Sequence, residues 1–66
     1  MKNTIRVERA KLDITQADLA EKVNVSKQTI LSIEKGKFTP SAILAMKIAR
    51  YFNAKMEDIF ELEPGD

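Results

Sequence analysis

The chain has 66 residues with no cysteine and no histidine, which excludes disulfide or thiolate-zinc stapling and removes the commonest general base and metal ligand. Its net charge of +1 hides an asymmetry: positions 1–55 hold all 11 basic residues and five of the 10 acids, a net +6, while positions 56–66 hold the other five acids and no base. A basic body facing a polyanion, or an ordinary solvated surface with an acidic end, both fit that pattern. No apolar run approaches the roughly 20 residues that span a bilayer, and MKNTIRVERAK lacks a signal-peptide core, so a cytoplasmic protein off the membrane is expected.

Residues 3–12 read as a first helix, capped by Asn3 or Thr4, with Ile5, Arg9 and Leu12 on one face. An arginine on an apolar face needs a partner, because an unpaired buried charge is costly. Asp13 breaks the helix and Ile14 turns inward. Thr15 opens the second helix, and Thr15 to Asp18 has the form of a capping box with Asp in place of Glu. Leu19, Ala20 and Val23 form its apolar stripe, and the small Ala20 lets the next helix cross closely. Asn24 is the expected left-handed turn residue, the second choice there after Gly. Val25 plugs the corner and Ser26 caps the third helix.

The third helix runs from Lys27 to Lys35 and stops at Gly36. Ile30, Ile33 and Glu34 face inward; Gln28, Leu31, Ser32 and Lys35 face the other way. Glu34 answers Arg9, and the two are expected to form a partly buried, bidentate ion pair tying the first helix to the third. After a loop at 37–39, Thr39 is expected to cap the fourth helix, with Pro40 at its first position. That helix buries Leu44, Ala45, Ile48, Ala49 and Phe52, points Lys47 and Arg50 outward, and ends at Asn53. Residues 56–60 read as a short fifth helix that opens on acids and carries Met56, Ile59 and Phe60 as apolar bulk. Leu62 continues it, and Pro64, Gly65 and Asp66 form a frayed end.

No catalytic constellation is visible. The chain has neither His nor Cys, no glycine-rich phosphate loop and no paired carboxylates in an obvious pocket. Glu57, Asp58, Glu61 and Glu63 do not match a calcium loop. No enzymatic activity, metal, cofactor or small-molecule effector is expected.

The central stretch carries the strongest signal. Gln16, Leu19, Ala20, Val25, Ser26, Thr29, Ile30, Ser32, Ile33, Glu34 and Gly36, at this spacing, resemble the Cro/C1-type (Xre-like) helix-turn-helix family of transcriptional repressors. Asn24 stands where that family commonly has Gly, and Lys55 where many relatives have Ser or Pro. Pro40-Ser41, Ile48-Ala49 and Asp58-Ile59-Phe60 look like the family's fourth and fifth helices, so the resemblance covers nearly the whole chain.

The resemblance implies one all-α domain over 1–66, a five-helix lambda-repressor-like DNA-binding bundle with its helix-turn-helix at 16–36. Some short relatives add a very short β-element from the chain ends, and Phe60 to Leu62 alternates suitably. It implies a sequence-specific DNA-binding regulator that represses by occupying a palindromic operator as a homodimer. Gln16 would then hold a phosphate, Ser26 would cap and meet a phosphate, and Lys27 would reach guanine or a phosphate. Gln28 would read adenine through N6 and N7. Thr29 and Ser32 would make adaptable contacts, and Leu31 would meet a thymine methyl or simply lie exposed. Lys35, Lys37 and the backbone of Phe38 would meet phosphates. Met56, Ile59, Phe60 and Leu62, in the segment 56–62, are the expected dimer interface. The rival reading is an antitoxin or accessory module that uses the same fold to bind a protein.

Overall fold

Four of the five helices end in the same way, and that shared ending organises the chain. The computed structural model describes residues 1–66: β1 (Lys2–Asn3), α1 (Ile5–Leu12), α2 (Gln16–Lys22), α3 (Lys27–Glu34), α4 (Ala42–Tyr51), α5 (Met56–Ile59) and β2 (Phe60–Glu61). Asp13, Asn24, Gly36 and Asn53 follow α1 to α4, all at positive φ between 54° and 74°. At each, the left-handed residue donates its N–H to the carbonyl three residues back. The next residue donates to the carbonyl five back: Ile14 to Arg9, Val25 to Ala20, Lys37 to Ser32 and Ala54 to Ala49. These are Schellman caps, in which the first residue past the turn favours an apolar contact. Ile14, Val25 and Ala54 supply it, each packing on the core.

The helix starts are equally local in origin. Thr15 and Asp18 form the reciprocal capping box, at 3.0 Å in both directions. Ser26 accepts from the Thr29 N–H at 3.2 Å and Ser41 from the Leu44 N–H at 3.1 Å. The cap of α4 is therefore Ser41, not Thr39. Pro40 sits one residue before the cap, where its ring is buried; an apolar residue at that position stabilises the helix entry by packing.

α1 begins at Ile5, two residues later than expected, because Asn3 is drawn into β1. The two strands pair antiparallel, Lys2 opposite Glu61 and Asn3 opposite Phe60. Leu12 is 51% exposed, since Ile14 and not Leu12 returns the chain to the core. The C-terminal residues are not frayed. Asp66 accepts from the Glu63 N–H at 2.7 Å, and the Met1 ammonium lies 3.2 Å from both Glu63 and Asp66 carboxylates.

The core is a single cluster. Ile5, Leu19, Val23, Ile30, Ile33 and Ile48 are fully buried, with Ile59 and Phe60 closing it from the C-terminal side. Each such side chain contributes about 1.5–3 kcal/mol of burial. α2 and α3 make the most intimate pair of elements. The position of Ile59 and Phe60 corrects the expected dimer interface: at 2% and 9% exposed they fill the core of one chain, because β2 folds back onto β1. Of the four residues assigned to a seam, Met56 (36%) and Leu62 (75%) keep exposed area.

Candidate nucleic-acid interface

α3 is eight residues long, about 12 Å at 1.5 Å per residue, a length that fits a major groove about 12 Å wide. Its first turn exposes Lys27 and Gln28, neither held by another side chain. Thr29 is half-buried and its hydroxyl lies 2.9 Å from that of Ser26. Ser26 also accepts the Thr29 N–H, so one hydroxyl proton of the pair remains for an outside acceptor. Leu31 and Ser32 are half-buried rather than open. Of Lys27, Gln28, Leu31 and Ser32, the first two are thus the fully presented ones.

The far end of α3 is braced from three directions. Arg9 donates to Glu34 through Nε at 2.7 Å and through its terminal nitrogen at 3.1 Å, the expected bidentate pair. Its other terminal nitrogen donates to the Ile14 carbonyl at 3.0 Å. The side chains are only 15% and 7% exposed. The Glu34 carboxylate, by accepting from the guanidinium, raises the Arg9 pKa above its ordinary value, against the lowering effect of desolvation. Asn3 adds a second brace, donating its amide to the Ile33 carbonyl at 2.8 Å while accepting from the Ile5 N–H at 3.2 Å.

The third brace changes the reading of Gln16. Its amide nitrogen donates to Glu34 at 3.2 Å, which joins the start of α2 to the end of α3. One amide proton and the carbonyl oxygen stay free, so the side chain is oriented and retains a donor. Gln16, Arg9, Thr15 and Lys27 line one shallow recess between the starts of α2 and α3. With the Arg9 charge taken by Glu34, the unpaired Lys27 and the free amide donor of Gln16 are what suit this recess to a phosphate oxygen.

Beyond α3, Lys35 and Lys37 are exposed and take part in no ion pair. The Phe38 backbone is different. Its N–H donates to the Ser32 carbonyl at 3.3 Å, beside that of Lys37 at 3.0 Å. That donor is occupied inside the helix cap, so the Phe38 N–H does not offer the expected phosphate contact. The roles of Asn3 and of the Gln16 amide toward Glu34 were not anticipated from sequence. The only available signal was that the last carbonyls of a helix and a carboxylate's second oxygen need donors.

A helix-turn-helix family model matches residues 5–59. The uncharacterized HTH-type transcriptional regulator MJ0272 of Methanocaldococcus jannaschii is 56% identical over 66 residues, which is all of both chains. The uncharacterized HTH-type regulator YgzD of Bacillus subtilis is 48% identical over 63 residues, 96% of each chain. Among solved structures, the clp gene regulator ClgR of Corynebacterium glutamicum superposes with a TM-score of 0.75 at 28% identity, over 82% of this chain. This chain spans 57% of the length of that regulator. No helix is long and apolar enough to cross a membrane. With the matched motif, the braced third helix and relatives similar along their whole length, the chain belongs to the Cro/C1-type helix-turn-helix family of DNA-binding transcriptional regulators.

Proposed function

We propose that this regulator is a cytoplasmic repressor that binds a two-fold-symmetric duplex site as a homodimer. The observation that carries the reading is the first turn of α3, where Lys27 and Gln28 stand exposed on a helix fixed at its other end by Arg9, Glu34, Gln16 and Asn3. Phosphate contacts supply affinity without sequence information, and base-edge contacts supply choice. Gln16, Lys35 and Lys37 take the first task. Gln28 takes the second, with Lys27 able to serve either; Ser26, Thr29 and Ser32 provide hydroxyls at the margin, and Leu31 an apolar edge toward thymine methyls.

The dimer seam in this reading lies on α4 rather than on Ile59 and Phe60. Ile43 (70% exposed) and Met46 (54% exposed) form an apolar ridge that continues to Met56 and Leu62. Lys47 and Arg50 border that ridge on α4, and Glu57 and Glu61 stand exposed at the opposite end of the molecule's charge pattern. Two copies related by a two-fold axis can set one copy's bases against the other's acids. A 66-residue chain without staples gains stability from such burial.

The DNA-binding part is tested by fluorescence anisotropy of a labelled duplex of random sequence against salt concentration. Affinity is expected to fall linearly with salt on logarithmic axes, with a slope of several units. Binding that does not change with salt, or no binding in low salt, would sink the reading.

A further inference from the structure

The chain has four aromatic residues. Tyr51 and Phe52 pack against the core and Phe60 is part of it. Phe38 is the exception: its side chain is 48% exposed and it is absent from the core. Its backbone is held on both sides. The N–H groups of Gly36, Lys37 and Phe38 all donate to carbonyls of α3, and Pro40 is buried two residues later. The ring is therefore carried on a short rigid pedestal at the end of α3, with the unpaired Lys35 and Lys37 just before it. About half of the ring surface is left outside the packing of the fold, and what gives that exposure meaning is its place beside two unpaired lysines at the end of α3.

From this placement we infer that the Phe38 ring is itself a DNA contact, packing on the apolar face of a deoxyribose in the strand whose phosphates Lys35 and Lys37 hold. The inference rests on the DNA-binding reading of this interface and adds a residue that works without charge. A nucleic-acid strand alternates anionic phosphates with sugars whose C–H faces are apolar. Two cations followed by an aromatic ring match that alternation. The contact is blind to base identity, because every nucleotide presents the same sugar. It is also independent of counterion release, which follows only from neutralised phosphates.

The test uses the whole chain and labelled duplex DNA, followed by anisotropy over a range of salt concentrations. Phe38→Ala is expected to weaken binding about tenfold, by the same factor on specific and random duplexes, with the salt slope unchanged. Lys37→Ala, in parallel, is expected to lower the slope by about one unit. Affinity within twofold of the parent, a loss confined to one sequence, or a changed slope for Phe38→Ala would each overturn the sugar contact. Thermal melting checks that the exposed site can be truncated without unfolding.

A second variant stands apart from truncation. The chain contains no tryptophan and one tyrosine, so Phe38→Trp places a lone tryptophan at the site, which is excited selectively at wavelengths that Tyr51 does not absorb. Its emission is expected to shift and quench on adding duplex; an unchanged spectrum while anisotropy shows full binding overturns the proposal. If the parent chain binds no duplex at all, it is the DNA-binding reading that has failed, and the sugar contact falls with it.

Discussion

In the proposed reading, Gln28 and Lys37 separate the two kinds of DNA contact at the scale of single residues. Gln28 is exposed in the first turn of α3 with its carboxamide free. Gln28→Ala is expected to cost roughly 1–3 kcal/mol at one operator position and to relax the preference there; equal loss on every sequence would remove it from base reading. Lys37→Ala, by contrast, should weaken all sequences together. Asp18 offers a test of folding rather than binding. The Thr15 N–H, and after it the Thr15 hydroxyl, hold the Asp18 carboxyl below its ordinary 3.8. A depressed folded-state pKa gives stability that is present above the unfolded value and is lost as pH falls through the folded one. Asp18→Asn is therefore expected to flatten the acid limb of a stability-versus-pH curve below about pH 4, measured by urea unfolding; an acid limb of unchanged shape would show the capping box to be electrostatically idle. These local features were legible in the sequence. Thr15 with Asp18, Asn24 and Ser26 each act within four residues of themselves, and the structure has each as expected. The cap of α4 is not legible in the same way, because the hydroxyls of Thr39 and Ser41 flank Pro40 and burial of the proline ring favours Ser41.

At the scale of elements, the question is what holds α3 still. The Arg9–Glu34 pair is more than four-fifths buried on both sides, and Glu34 also accepts from Gln16. Removing one member of such a pair leaves an uncompensated charge, at a cost of about 3 kcal/mol. Arg9→Met is expected to lose that much in chemical denaturation, a large share of the 5–15 kcal/mol a domain commonly has. The double variant Arg9→Met with Glu34→Leu should recover much of the loss, and losses that simply add would show that the two side chains act independently. The pair itself could be read from sequence, since each residue interrupts an apolar stripe. The Gln16 and Asn3 braces could not. Both join residues far apart in the chain, and a carboxamide reveals nothing locally about which distant acceptor it will meet.

At the scale of the whole molecule, the same limit applies to the apolar residues of the C-terminal segment. Composition shows that Met56, Ile59, Phe60 and Leu62 must be covered, but not whether by their own chain or by another. The β1–β2 pairing settles it for two of them by turning Ile59 and Phe60 inward. Phe60→Glu is accordingly expected to unfold the domain. Met46→Glu, on the exposed ridge, is expected to leave the fold intact and give monomers in sedimentation; a persistent dimer would move the seam off α4. The longest dimension of one chain is 31 Å, whereas successive major-groove entries on one face of DNA lie about 34 Å apart. In the proposed dimer, one chain carrying one α3 would read one half-site. The central claim, a two-fold reader of duplex DNA, is tested most directly by selecting binding sites from random duplexes. The account predicts an inverted repeat whose half-sites are centred about one helical turn apart. A single unrepeated site would contradict the dimer, and no enrichment above background would contradict DNA reading altogether.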